Sequence, residues 1–257
     1  NHRHFAIGDT VALVVNAVLL SAVAGLATGL GGALVLLFRR LDMRAYDTLL
    51  GFAAGVMTAV ATLGLISEAL AEGSILTTIV GVSVGALVLY GLDRFLPHEH
   101  EGLPFACTNQ VAYRRGIMLL AAMTLHNFPE GLAVGTGYAA QPRLGTLLAI
   151  AIALHNIPEG IAVAGPFKAC GMPWPRALGW ATLSGLAEPV AALVGAVFVG
   201  LIGGLLPFSL AFAGGAMLYV VSDELIPESH SHGFEHQATS GFVIGFLVLL
   251  TLTQILQ

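Results

Sequence analysis

Two copies of one six-residue phrase hold the most chemically loaded side chains of this sequence: His126-Asn127-Phe128-Pro129-Glu130-Gly131 and, 29 positions later, His155-Asn156-Ile157-Pro158-Glu159-Gly160. Residues four apart share a helix face, so His126 lies beside Glu130 and His155 beside Glu159. Imidazole and carboxylate on one face make a metal-binding edge. Proline at the fourth motif position removes a backbone donor and disturbs the preceding turn, which frees the carbonyls of Leu125 and Leu154. With Glu188 added, two His, two Asn and three Glu exceed what one tetrahedral zinc can use. Asn127 precedes Glu130 by three positions and His126 by four, so the glutamate lies between them on the helix surface. This offset predicts two adjacent metal positions bridged by Glu130 and Glu159. The first is rich in imidazole, with His126 and His155; the second is all oxygen, with Asn127, Asn156 and Glu188. Mixed imidazole and carboxylate ligands without thiolate suit Zn, Fe(II), Mn, Co or Cd better than Cu(I).

The elements that must position these residues are membrane helices. Of 257 residues, 56% are hydrophobic and 10% charged, with 32 Gly and a mean hydropathy of +0.86. A soluble domain carries about 25% charge. Apolar residues come in long runs rather than in the period-two segments of an outer-membrane barrel, so the expected fold is all-α and polytopic. Eight spans read as Val11–Phe38, Leu49–Glu68, Ile75–Leu92, Gly116–Tyr138, Leu144–Phe167, Leu178–Leu201, Pro207–Leu225 and Phe242–Ile255. Five Gly pairs at four-residue spacing (Gly25 and Gly29, Gly51 and Gly55, Gly81 and Gly85, Gly131 and Gly135, Gly241 and Gly245) let these helices pack closely as one bundle and one domain, 1–257. Both motifs fall near the centres of consecutive spans, with Glu188 at a similar depth in the sixth. Each midplane carboxylate costs about 2.5–3.5 kcal/mol if charged and alone. No Lys or Arg lies inside these spans, which leaves protons or bound cations as partners.

Basic residues give the orientation. The first, third and fifth connections hold eight Lys and Arg (Arg39, Arg40, Arg44, Arg94, Arg114, Arg115, Lys168, Arg176) against two, Arg3 and Arg143, on the other side. The expectation is a bacterial inner-membrane protein with both termini outside. Cys107 and Cys170 then face the cytoplasm and read as spare thiols. A net charge of −5 on a chain immersed in lipid argues for no nucleic-acid partner. No cleavable signal pattern opens the chain, and residue 1 is not Met, so further residues are expected upstream.

The paired His-Asn-x-Pro-Glu-Gly phrases on consecutive spans, with Ser184-Gly185-Leu186-Ala187-Glu188-Pro189 and Val221-Ser222-Asp223-Glu224-Leu225-Ile226-Pro227-Glu228, resemble the ZIP (Zrt-, Irt-like protein) divalent metal transporters. The resemblance covers essentially the whole chain. It implies zinc uptake into the cytoplasm through a binuclear centre of helices four, five and six, and movement of helices one, four, five and six against two, three, seven and eight. It also hints that Met57 adds a thioether ligand, although a core methionine is the more ordinary reading. The long His-rich cytoplasmic loop of eukaryotic relatives is reduced here to Pro97-His98-Glu99-His100-Glu101. Asp223 and Glu224 are candidates for an exit relay, as are His98, His100, His230 and His232, with His236 nearby; loop histidines are ordinarily just solvated.

Two other functions are compatible with buried carboxylates and imidazoles in a membrane protein. An intramembrane metal-dependent hydrolase would need a nucleophile beside a base or a His-Glu-x-x-His phrase, and neither is found. A proton-coupled carrier of another solute would not bind metal tightly. The assembly is open between a monomer and a homodimer.

Overall fold

The computed structural model describes residues 7–35, 42–95 and 109–256, and these are helical apart from short connections. Among the described residues, eight helices are long and apolar enough to cross a membrane: α1 (Val11–Leu34), α2 (Met43–Glu72), α3 (Ile75–Leu92), α4 (Gln110–Ala140), α5 (Pro142–Ala169), α6 (Trp174–Gly200), α7 (Leu206–Ser229) and α8 (Glu235–Ile255). No strand occurs among the described residues. The second and eighth helices begin six to seven residues before the apolar runs read from sequence, because polar first turns such as Met43-Arg44-Ala45 and Glu235-His236-Gln237 stay helical beyond the hydrocarbon. Asp42 caps α2 through the Arg44 N–H, and Asn109 caps α4 through Ala112 N–H. Gly171 turns the chain from α5 to α6 at φ 89°, and Gly233 turns it from α7 to α8 at φ 88°, a region that other residues rarely enter.

Burial is inverted relative to a soluble protein. Val15, Leu19, Val23, Leu26 and Leu30 form an exposed apolar face of α1 at three- and four-residue spacing, while Asp47, Glu130, Glu159 and Glu188 are fully buried. The central helix is α5, with 78% of its apolar stretch buried against 22% for α3.

Close packing divides the bundle into two groups. Gly25 and Gly185 meet backbone to backbone, so that a Cβ on either would lie within 2.2 Å of the other's carbonyl oxygen. Gly131 lies in the same way on Glu188, and Gly160 on Thr28. These contacts tie α1, α4, α5 and α6 together. Gly51 and Gly55 against α8, Gly81 and Gly85 against α7, and Gly214 of α7 against Ala61 and Ile66 of α2 join α2, α3, α7 and α8. Among the described glycines, the one neighbour across the two groups is Leu148 Cδ2 at 3.4 Å from a Cβ on Gly64, an ordinary side-chain contact.

One reading from the sequence is corrected. Cys170 is not a spare thiol but disulfide-bonded. Cys107, the other cysteine of the chain, lies outside the described residues.

Candidate metal centre

The motif helices break where their prolines require it. Pro129 lies inside α4 and Pro158 inside α5, and neither can donate to the carbonyl four residues earlier. The sixth span is interrupted outright: helix Trp174–Gly185 ends, Leu186 forms a turn, and helix Ala187–Leu201 begins with Glu188 in its first turn. The sequence carries the cause in Gly185 and Pro189, since Pro189 leaves the Gly185 carbonyl without its usual donor. A carboxylate in a first helical turn faces free N–H groups. Two further irregularities are π-helical turns at Val60–Ile66 in α2 and Val221–Leu225 in α7, which no local sequence pattern announces as such. The second ends just before Pro227, which cannot serve the Asp223 carbonyl in the α-helical register; such turns recur at functional sites.

Three motif side chains converge. Ligand atoms of Glu130, His155 and Glu159 all lie within 4.8 Å of one another, and all three residues are fully buried. His155 Nδ1 lies 3.2 Å from the Ala151 carbonyl, which can only accept, so Nδ1 carries the proton. The Nε2 lone pair therefore faces Glu130 Oε1 at 3.1 Å and Glu159 Oε1 at 4.0 Å. Lone pair against carboxylate is repulsive unless a proton or cation lies between them, and no atom of the Glu130 or Glu159 carboxylates has a hydrogen-bond partner among the described residues. Second-sphere fixing of one imidazole nitrogen by a backbone carbonyl is the arrangement metal-binding histidines use.

An oxygen-rich group forms where α5 meets α1 and α6. Asn156 Nδ2 donates to the Ala24 carbonyl at 2.8 Å and to Glu188 Oε1 at 2.6 Å. Because the Ala24 carbonyl is a pure acceptor, the orientation of the amide is set and Asn156 Oδ1 is left with no donor. Glu188 Oε2 and both polar atoms of buried Asn127 are likewise unpartnered. Hard oxygen donors of this kind suit Zn, Mn or other divalent ions.

His126 departs from the expected pairing with His155. Its Nε2 lies 2.8 Å from Glu224 Oε1, carried by the π-helical turn of α7. Glu224, singled out from sequence for an exit step, thus reaches His126 of the first motif. Asp223 instead accepts from Tyr219 at 3.3 Å and is exposed. Met57 is fully buried one residue-turn before the π-helical segment of α2.

The loop histidines have structural partners. His230 Nδ1 donates to the Ile226 carbonyl at 2.8 Å. His232 Nε2 accepts from Arg115 at 2.8 Å, which places the ring proton on Nδ1, donated to buried Asp47 at 2.7 Å. Arg115 also pairs with Glu228. The sequence carries no sign of this network, because Arg115 and Asp47 lie far along the chain from Glu228 and His232. His98 and His100 lie outside the described residues.

Eight membrane-crossing helices around buried carboxylate, imidazole and amide oxygen define a multi-pass membrane protein with a buried His/Glu group that could hold a metal ion. The chain belongs to the ZIP zinc transporter family, of the bacterial type: the family model described as ZIP Zinc transporter matches residues 99–253. It is 41% identical over 242 residues to zinc transporter GufA of Myxococcus xanthus, covering 90% of this chain and 95% of the relative. It is 39% identical over 252 residues to zinc transporter ZIPB of Bordetella bronchiseptica (92% and 80% covered). To zinc transporter ZupT of Corynebacterium aurimucosum it is 36% identical over 256 residues (93% and 96%). This is a family of transport proteins rather than enzymes, which removes the hydrolase reading.

Proposed function

We propose that the chain carries zinc into the cytoplasm through two metal positions built by α4, α5 and α6. The carrying observation is the buried trio of Glu130, His155 and Glu159, whose carboxylate oxygens lack partners while an imidazole lone pair faces them. In this reading Glu130 and Glu159 bridge the positions, His155 completes the first, and Asn127, Asn156 and Glu188 form the second. His126 with Glu224 serves as the step by which the ion leaves toward α7, and Asp223 lies further along it. The names of the relatives support zinc as the cargo; the donor set also accepts Fe(II), Mn, Co or Cd.

Inward orientation, with both termini outside, is supported by eight Lys and Arg against two across the connections. The disulfide at Cys170 pulls the other way, since such bonds are uncommon in a reducing cytoplasm. Labelling of a cysteine introduced at Glu235 by an impermeant reagent decides the side: protection in intact cells supports the orientation.

The central test is zinc influx into proteoliposomes, paired with elemental analysis of metal per chain. Glu130→Ala and Glu159→Ala are expected to abolish influx and to lower bound metal at both positions. Wild-type influx in either variant sinks the proposal.

A further inference from the structure

A buried hydroxyl in a membrane helix ordinarily donates back to the carbonyl three or four residues earlier. Thr58, Thr136, Thr182 and Ser184 do so here. Two residues of α1 do not: Ser21 and Thr28 are fully buried, and neither hydroxyl has a partner among the described residues. Both lie along the part of α1 that touches the oxygen-rich group. Between them come Ala24, whose carbonyl holds the Asn156 amide, and Gly25, where a Cβ would lie 3.3 Å from Glu188 Oε1. Positions 21, 25 and 28 stack on one helical face. Thr28 is located further by its neighbours. Its carbonyl lies against Gly160, next to Glu159, and its Oγ1 is 3.0 Å from where a Cβ on Gly185 would stand, at the break in α6.

At 1.5 Å rise per residue, Ser21 is displaced roughly 5–6 Å from Gly25 toward one membrane face and Thr28 roughly 4–5 Å toward the other. An ion entering or leaving a dry, oxygen-rich position must exchange its ligands in steps of about that length, and a hydroxyl is a neutral, hard donor that an ion can also leave. Two unpartnered hydroxyls on opposite sides of Asn156 and Glu188 meet that need.

We propose that Ser21 and Thr28 are transit ligands, α1 hydroxyls that pass the divalent ion to and from the oxygen-rich position. The proposal rests on the metal-transport reading above. The test measures Mn(II) and Zn(II) influx into proteoliposomes with an internal chelating fluorophore, together with metal per chain by elemental analysis. Thr28→Val keeps the side-chain shape and removes the hydroxyl, Thr28→Ser keeps the hydroxyl, and Ser21→Ala removes the other. Expected are influx rates lowered about tenfold in Ser21→Ala and Thr28→Val, near-wild-type rates in Thr28→Ser, and unchanged bound metal in all three. Wild-type influx in both hydroxyl-less variants overturns the proposal. Loss of bound metal in Thr28→Val also overturns it, because the hydroxyl then belongs to the resting site or to the fold. A wild-type protein that neither binds nor moves metal instead removes the transport reading itself, and this proposal falls with it.

Discussion

One hydrogen bond decides what His155 offers its neighbours. With Nδ1 committed to the Ala151 carbonyl, the ring can give Nε2 to a cation without reorganising. Metal binding requires neutral imidazole and ionised carboxylate, so every metal bound displaces protons and acidification opposes loading. Zinc affinity measured by titration is therefore expected to fall steeply between about pH 7.5 and 5.5, where imidazole titrates; a constant affinity across that window contradicts the site. The separate donor groups also predict separable losses. Asn156→Ala and Glu188→Ala are expected to remove one metal per chain and leave the Glu130, His155 and Glu159 position loaded. Elemental analysis checks this, and variants that lose all metal together contradict two positions.

Among the elements, the irregular turns do the positioning. Pro129 leaves the Leu125 carbonyl without its α-helical donor and sets the course of α4 just before Glu130. Pro129→Ala restores that donor and removes a helix-breaking residue, so the variant is expected to melt at a higher temperature while binding zinc more weakly. Lower thermal stability with intact affinity would reverse this account. At the start of α2, Asp47 is fully buried and takes its hydrogen bond from His232. His232→Ala strands that carboxylate, and a loss of about 1–3 kcal/mol is expected in thermal or denaturant unfolding in detergent. An unchanged melting curve would show that the network contributes nothing to the fold.

Across the whole molecule, glycine contacts separate two groups of four helices. Backbone-to-backbone approaches such as Gly25 with Gly185 leave no side-chain layer to slide, whereas Gly64 and Leu148 meet across the boundary through one methyl. Packed bodies with a smooth surface between them can shift as units. The centre lies at this boundary, because His126 of one group faces Glu224 of the other. Polar ties also cross it elsewhere, Arg115 to Glu228 and Gln141 to Glu68. Cross-linking Gly64→Cys to Leu148→Cys is expected to stop influx, with recovery on reduction of the new bond. Full influx in the cross-linked protein would show that the two groups need not move apart.

The all-helical membrane fold and the helix count were legible in the sequence, because hydropathy acts locally along the chain. The phrase His-Asn-x-Pro-Glu-Gly, written twice, was enough to place Glu130 beside His126 and Glu159 beside His155 on their helix faces. Rotation of one helix against another is not written in any single helix. Packing alone decided that His126 turns to Glu224 while His155 joins Glu130 and Glu159. It likewise decided that His232 buttresses Asp47 instead of lining a path, and that Cys170 is paired. The α6 break and the π-helical turn of α7 stand between these cases: Pro189 and Pro227 announce a disturbed hydrogen-bond ladder, but which way the next carboxylate then points depends on the helix packed against it.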